Sequence, residues 1–112
     1  MEKVYNKLIR DNIPSIIKRD GRKATTRILD DEEYKIELYK KLLEEANEVI
    51  GANNSEEVLE EMADVLEVLR AIAVMNNKSI EDIINIAKQK RLKRGGFEKR
   101  IFLEKTSSKE EL

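Results

Sequence analysis

The sequence predicts an all-α fold, a helical bundle that contains an antiparallel helix hairpin. Two observations indicate this fold. From residue 30 onward, helix-start and helix-stop residues follow one another in order, and apolar residues recur at helical spacing between them. The chain has 112 residues, a length typical of one domain. We therefore predict a single helical domain over residues 1–112.

Three long helices are predicted between residues 30 and 96. Each begins with a capping box, in which a polar N-cap residue is followed three positions later by an acid. The three pairs are Asp30 with Glu33, Asn54 with Glu57, and Ser79 with Asp82. The predicted helices end at Gly51, at about Asn76 and at Gly95-Gly96, because glycine and asparagine favour helix C-termini.

The two ends of the chain are predicted to be less regular. Pro14 suits the first turn of a short helix over residues 14–19, which Asp20-Gly21 ends. Residues 24–29 and 97–103 have mild strand character and could pair as a small two-stranded ribbon. Residues 104–112 are polar and are predicted to form a frayed tail.

The helix that follows Asn54 is too apolar for a monomer. Of the fourteen residues from Met62 to Met75, eleven are hydrophobic, whereas a surface helix needs only one apolar stripe. A monomer of three helices would leave part of this surface uncovered. We therefore expect a homo-oligomer, most simply a homodimer and otherwise a dimer of dimers.

The composition excludes several kinds of chemistry. The chain has no Cys and no His, which excludes disulfides, thiolate or imidazole metal sites, thiol nucleophiles and Ser–His catalysis. Any catalysis must use carboxylates, Lys, Arg, Tyr, Ser or Thr, or a hard metal ion held by oxygen. The N-terminus lacks a signal-peptide pattern and no apolar run reaches about 18 residues, so we expect a cytoplasmic protein with no membrane partner.

Acidic and basic residues are segregated along the chain. From Leu42 to Leu69 there is no Lys or Arg, but there are nine acids, and the rest of the chain has 22 bases against 14 acids. Clustered carboxylates repel one another, so this segment needs a counter-cation. Lys and Arg from elsewhere could supply it, or a divalent metal could. The alternative is that two helices simply present solvated acidic faces.

Two short motifs in this acidic segment favour a metal site. Residues 44–48 read E-E-x-x-E and residues 61–64 read E-x-x-D. In each motif, two carboxylates three residues apart lie on one face of a helix. The twelve residues between Glu48 and Glu61 allow a tight loop and an antiparallel return, which would bring the two pairs together. Glu45 also lies on the apolar stripe of its helix, where a solvated glutamate is not expected.

With these motifs in this order, the sequence resembles the MazG-like nucleoside triphosphate pyrophosphohydrolases, an all-α superfamily. The opening from Tyr5 to Pro14 and the segment from Lys90 to Phe97 are similar to one of its subgroups, the phosphoribosyl-ATP pyrophosphohydrolase-like proteins. The resemblance extends over most of residues 4–103, and the acidic hairpin is its most diagnostic part.

The resemblance implies Mg²⁺-dependent hydrolysis of a nucleoside triphosphate to the monophosphate and pyrophosphate, with Mn²⁺ able to substitute, in nucleotide-pool house-cleaning. The implied metal ligands are Glu45, Glu48, Glu61 and Asp64. Either Glu48 or Glu45 would orient or deprotonate the attacking water. The bases that we expect on the substrate phosphates are Lys7, Arg10, Lys90, Arg91 and Arg94.

Two other functions remain open at this point. One is the phosphoribosyl-ATP pyrophosphohydrolase reaction of histidine biosynthesis, because base selectivity depends on pocket shape. The other is a helical oligomer that acts as a nucleic-acid-binding or interaction module. Aromatic residues for base stacking are few, at 4%, and the sequence pI is about 5.7, so we do not expect a nucleic-acid partner.

Overall fold

The structure is a computed structural model that describes residues 1–108, and these residues form four helices and no strand. Helix α1 covers Ile13–Arg19, α2 covers Asp31–Gly51, α3 covers Ser55–Met75 and α4 covers Ile80–Arg94. The all-α prediction is confirmed. Each predicted helix is present, and its observed bounds lie within one or two residues of the predicted ones.

The two long helices that carry the acidic motifs have well-formed N-caps. The Asp30 carboxylate accepts a hydrogen bond from the backbone N–H of Glu33 at 2.9 Å. At the start of α3, the Asn54 side chain accepts from the N–H of Glu57, also at 2.9 Å. The Glu57 carboxylate in turn accepts from the N–H of Asn53 at 2.9 Å, one residue earlier than in a standard capping box. These bonds satisfy N–H groups that the helices cannot satisfy internally.

Helices α2 and α3 form an antiparallel hairpin around a small core. Only residues 52–54 connect them, and they pack along each other. Among the described residues, the buried apolar side chains are Leu38 of α2, Val68 and Ala73 of α3, and Ile80 at the start of α4. In a core of this size, each helix of the hairpin buries one face, and its other faces remain exposed.

Each helix of the hairpin has an exposed apolar stripe on those uncovered faces. The stripe on α2 consists of Ile36, Tyr39, Leu43 and Ile50, and the stripe on α3 consists of Leu59, Met62, Leu66 and Leu69. Successive members are spaced by three, four or seven positions, which is the spacing of a helix–helix contact seam. We call these eight residues the hairpin stripes.

The described residues divide into two compact units, Met1–Ile80 and a second unit that begins at Glu81. The first contains α1, α2 and α3. In the second, the remainder of α4 and the segment after it are exposed throughout their described residues. Gly95 ends α4 with a φ of +81°, and its N–H donates to the carbonyl of Arg91 at 2.8 Å, which is a typical glycine helix end. The prediction of one domain stays a prediction.

The predicted two-stranded ribbon is not formed, since neither residues 24–29 nor residues 97–103 are strands. Arg100 has a φ of +57°, and its N–H donates to the carbonyl of Phe97 at 3.0 Å, so a turn interrupts the second segment. In the first segment, Arg27 is tied to Glu33 of α2 by hydrogen bonds of 2.8 and 3.2 Å. Local turn and helix-start contacts therefore replace the strand pairing.

The predicted tail lies partly outside the described residues. Residues 104–108 have no regular secondary structure and are exposed, whereas residues 109–112 are not described. In the part of the chain that is described, no helix is both long enough and apolar enough to span a membrane. The expected cytoplasmic location stays a prediction.

Candidate metal centre

Three carboxylates from the two helices of the hairpin converge. Glu45 of α2 and Glu61 and Asp64 of α3 each offer one oxygen, and these three oxygens lie within 4.8 Å of one another. Ligand distances of about 2.0–2.6 Å place two oxygens on one hard cation at most about 4 to 5 Å apart. The three side chains are half-buried. We call Glu45, Glu61 and Asp64 the carboxylate triad.

The local structure explains why the triad forms. Glu61 and Asp64 are three residues apart on α3, so their side chains lie on the same face one turn apart. The short connection after α2 reverses the chain, and the packed hairpin then places Glu45 opposite that turn of α3. The helical hairpin expected from the two motifs is thus present.

Glu48, the fourth predicted ligand, does not belong to the triad. It lies on α2 with an exposed side chain, but it is near enough to affect Glu61. Desolvation, followed by the negative charges of Asp64, Glu48 and Glu45, raises the pKa of the Glu61 carboxyl above its ordinary value. Glu61 therefore resists ionisation, and a bound cation would relieve this repulsion.

Basic side chains compensate part of the charge. An Nη2 of Arg10 donates to Oδ1 of Asp64 at 2.5 Å. Lys41 Nζ lies 3.7 Å from Oε1 of Glu45 and 3.4 Å from Oε2 of Glu44. Lys7 Nζ lies 3.8 Å from the Glu44 carboxylate. Within the described residues, no Lys or Arg pairs with Glu61, so the triad is only partly neutralised.

A cleft of ≈ 230 Å³ adjoins two members of the triad. It is lined by four residues of the N-terminal segment, by four of α2 including Tyr34, Lys41 and Glu45, and by four of α3 including Asp64 and Glu67. Sites that enclose a whole drug-sized ligand measure roughly 300–1,000 Å³. This cleft is therefore large enough for a phosphate group beside the triad, but not for a complete nucleotide.

The five predicted phosphate-binding bases fall into two groups. Lys7 and Arg10 belong to the unit that contains the triad, and both contact acids of the hairpin. Lys90, Arg91 and Arg94 lie on the last turns of α4, in the second unit, where all three are exposed. Their role on a substrate stays a prediction.

Lys41 is a site residue that the sequence analysis missed. Its side chain is only 17% exposed and lines the cleft, which is unusual for a lysine. Its position in the sequence could have identified it as a site residue. Lys41 is the last base before the base-free segment and lies one helical turn before Glu45.

Comparison with known families decides the relationship that the motifs suggest. A family model described as phosphoribosyl-ATP pyrophosphohydrolase matches residues 6–91, which is most of the chain. The chain belongs to this family. The resemblance given by the acidic motifs is confirmed, whereas searches of curated proteins and of solved structures found no match.

Membership in the phosphoribosyl-ATP pyrophosphohydrolase family supports pyrophosphohydrolase activity on a nucleotide. The matched residues include the whole triad, Glu48, Lys7 and Arg10, but end before Arg94. Members of the family use a divalent metal. The donor set fits such an ion, because carboxylate oxygens at half-buried positions are the ligands that hard divalent cations prefer.

Proposed function

We propose that the protein hydrolyses a nucleoside triphosphate to the monophosphate and pyrophosphate with Mg²⁺, for which Mn²⁺ can substitute. The observation that carries this proposal is the convergence of three carboxylate oxygens, within 4.8 Å of one another, in the part of the chain that matches a pyrophosphohydrolase family. Removal of non-standard nucleotides from the cytoplasmic pool would be the use of this reaction.

The triad would hold the metal ion in this reaction. When bound, Mg²⁺ supplies positive charge that offsets the substrate phosphates and polarises the phosphoryl centre for attack. Phosphoryl transfer depends mainly on positioning and electrostatic stabilisation. A chain without His or Cys can therefore carry it out with carboxylates and bases alone.

Glu48 is the better candidate for the residue that orients or deprotonates water. Glu45 belongs to the triad and lies 3.7 Å from Lys41, so its oxygens are already engaged. Glu48 lies one turn further along α2 and is exposed. Its carboxylate is close to the triad without being part of it, a position suited to a general base.

Arg10 and Lys41 would bind phosphate oxygens beside the triad. Both line the cleft, and a guanidinium can form paired hydrogen bonds with a phosphate group. Lys7, Lys90, Arg91 and Arg94 are the further bases that we propose for the triphosphate and its pyrophosphate product. Because the cleft is smaller than a nucleotide, recognition of the base must involve other surfaces.

Hydrolysis of phosphoribosyl-ATP in histidine biosynthesis is the second candidate function. The description of the matching family favours it. Both reactions break the same phosphoanhydride bond and release pyrophosphate, so the geometry of the triad serves either substrate. The two functions differ in whether the enzyme must accept the additional phosphoribosyl group of phosphoribosyl-ATP.

A screen for pyrophosphate release tests both candidates. The purified protein is incubated with ordinary, deoxy and modified nucleoside triphosphates and with phosphoribosyl-ATP, each with Mg²⁺, with Mn²⁺ and with EDTA. We expect metal-dependent release of pyrophosphate from at least one nucleoside triphosphate. Activity on phosphoribosyl-ATP alone would establish the second function, and the absence of release from every substrate would contradict both.

The partner that we propose is a second copy of the chain. The hairpin stripes expose eight large apolar side chains, and burying such surface is the main driving force of association. Their helical spacing suits a bundle in which the hairpins of two copies pack together. A dimer of dimers would use the same stripes twice.

A further inference from the structure

The ion pair between Arg10 and Asp64 links the N-terminal segment to the triad. The Arg10 guanidinium donates to Oδ1 of Asp64 at 2.5 Å across 54 positions of sequence. Asp64 is one of the three residues that offer an oxygen to a cation. Arg10 thus occupies a group that a divalent metal would also bind.

The Arg10 guanidinium and a divalent metal ion would compete for the Asp64 carboxylate. A guanidinium withdraws electron density from the oxygen to which it donates, and its positive charge repels a second cation a few ångströms away. A metal that binds the triad therefore gains most if the guanidinium moves off Asp64. The net charge of the site favours this exchange, because Glu61 pairs with no base in the described chain.

The burial of the two ion pairs of the triad indicates which base moves. The side chains of Arg10 and Asp64 are 56% and 41% exposed, and an ion pair so exposed to water adds little stability. The side chains of Lys41 and Glu45 are 17% and 14% exposed. Lys41 is therefore the more buried of the two bases, whereas Arg10 can exchange Asp64 for water at small cost.

We propose that Arg10 is the internal counter-cation of Asp64 in the metal-free protein and leaves Asp64 when a divalent cation binds the triad. This inference rests on the proposed function. The guanidinium remains beside the cleft, where it can bind a phosphate oxygen of the substrate. Arg10 therefore weakens metal binding in the absence of nucleotide and strengthens nucleotide binding once the metal is present.

Titration with Mn²⁺ in the absence of nucleotide tests the exchange. Free Mn²⁺ is measured by electron paramagnetic resonance for the wild type, Arg10→Gln and Arg27→Gln, with helix content checked by circular dichroism. Arg10→Gln should bind Mn²⁺ about two- to fivefold more tightly than the wild type, the effect expected of an exposed ion pair. At saturating metal, the same variant should have a raised KM for the nucleotide.

Arg27→Gln is the matched control. It removes the same charge and breaks an exposed Arg–Glu pair, with Glu33, outside the triad. We expect its Mn²⁺ affinity and its KM to equal those of the wild type.

Three outcomes would overturn the exchange. If Arg10→Gln binds Mn²⁺ with unchanged or weaker affinity, Arg10 does not compete with the metal, although the proposed function stands. If Arg10→Gln and Arg27→Gln both bind Mn²⁺ more tightly than the wild type, and by the same factor, the gain in affinity comes from the net charge of the protein and not from the position of Arg10. If the wild type binds no Mn²⁺, the metal-dependent function fails, and the exchange fails with it.

Discussion

Glu61 has the least compensated charge of the triad. Asp64 faces Arg10 and Glu45 faces Lys41, while desolvation and four neighbouring acids raise the pKa of Glu61. A raised carboxyl pKa means that folding favours the protonated form. The associated stability is fully present below the unfolded-state pKa and is lost as the pH rises through the folded-state pKa. At neutral pH, the Glu61 charge therefore destabilises the metal-free protein.

Removing this charge should stabilise the metal-free protein. We expect Glu61→Gln in EDTA to melt at a higher temperature than the wild type at pH 7, and the difference to vanish below about pH 4, where both side chains are uncharged. Mg²⁺ or Mn²⁺ should stabilise the wild type by about 2.7 kcal/mol at a hundredfold excess over Kd, and Glu61→Gln much less. Thermal unfolding between about pH 3 and pH 8 measures both effects.

Glu60→Gln is the control for this measurement, since Glu60 is an exposed acid on the same helix and contributes the least of the four neighbouring acids to the raised pKa of Glu61. It should respond to metal as the wild type does. A Glu61→Gln variant that melts at a lower temperature than the wild type at pH 7, and that metal stabilises as much as the wild type, would give the opposite result. Glu61 would then be neither a metal ligand nor a charge that destabilises the metal-free protein.

Substitution of the candidate acids should separate metal ligands from solvated carboxylates. Glu45→Gln, Glu48→Gln, Glu61→Gln and Asp64→Asn each keep the side-chain shape and remove one charge. We expect each to reduce the rate of pyrophosphate release more than tenfold, which corresponds to more than about 1.4 kcal/mol in the barrier. Circular dichroism should show an intact helical fold.

The choice of control follows from the cap of α3. Glu57 accepts a hydrogen bond from Asn53, so its replacement could also affect folding, whereas Glu60→Gln should cost little activity. Equal rates in the four variants and in Glu60→Gln would contradict a metal role for the motifs.

Helix periodicity places Glu45 with Glu48 and Glu61 with Asp64 on one face of each helix, and the short connection predicts that the two pairs meet. The structure brings three of these four residues together and leaves Glu48 outside the triad. The contacts of Arg10 with Asp64 and of Lys41 with Glu45 were not predicted. The first depends on the path of residues 1–12, which lie outside any helix and have no periodic pattern to fix their path. Helical spacing allows the contact of Lys41 with Glu45. The burial of these two side chains depends on the packing of the hairpin, which the sequence does not give.

At the scale of the element, helix starts are the most predictable feature of this chain. The bonds of Asp30 and Asn54 each lie within one turn of helix, so local sequence is enough to predict them. The ribbon prediction was wrong for the opposite reason. Strand pairing between residues 24–29 and 97–103 would require contacts distant in sequence, and short-range turn and ion-pair contacts are formed instead.

Loss of the α3 cap should destabilise the helix that carries Glu61 and Asp64. Asn54→Ala removes the acceptor for the Glu57 N–H, and we expect it to lower the free energy of unfolding by about 1 kcal/mol. Asn54→Asp restores an acceptor and should recover most of this loss. Denaturant unfolding measures the change.

Asn53→Ala is the matched substitution for this test. The neighbouring Asn53 contributes its backbone N–H to Glu57, which alanine retains, so this variant should remain close to the wild type. Equal destabilisation by Asn53→Ala and Asn54→Ala would mean that the side-chain cap contributes little.

At the scale of the whole molecule, the small core and the hairpin stripes indicate that folding and association are linked. The four apolar residues that are buried within residues 1–108 provide little of the apolar burial on which a stable domain depends. The apolar composition of residues 62–75 predicts this surplus of exposed surface. The composition does not predict which helix faces remain exposed, because that depends on how the two helices of the hairpin pack.

A charge in the α3 stripe should dissociate the proposed dimer. Leu66 is 46% exposed, and Leu66→Glu would place a charge in the interface of each copy. Losing the burial of two leucines, at about 1.5 kcal/mol each, should weaken the dimer at least about 100-fold. Sedimentation equilibrium at micromolar concentration should show twice the chain mass of 13.0 kDa for the wild type and a shift toward the monomer for the variant.

Leu103→Glu makes the same chemical change at a leucine outside the hairpin, which is 73% exposed. This variant should remain a dimer. A folded wild-type monomer at micromolar concentration, or dissociation by Leu103→Glu alone, would contradict the assignment of the hairpin stripes.

The three-residue connection between α2 and α3 has a kinetic consequence. The triad lies within twenty consecutive residues, 45–64, closed by that connection. Closing a short loop costs little entropy, and contacts local in sequence form early in folding. The triad should therefore assemble with the hairpin, before the stripes find a second copy. A metal ion present during synthesis can then bind an incomplete chain, so that it accelerates folding as well as stabilising the finished protein.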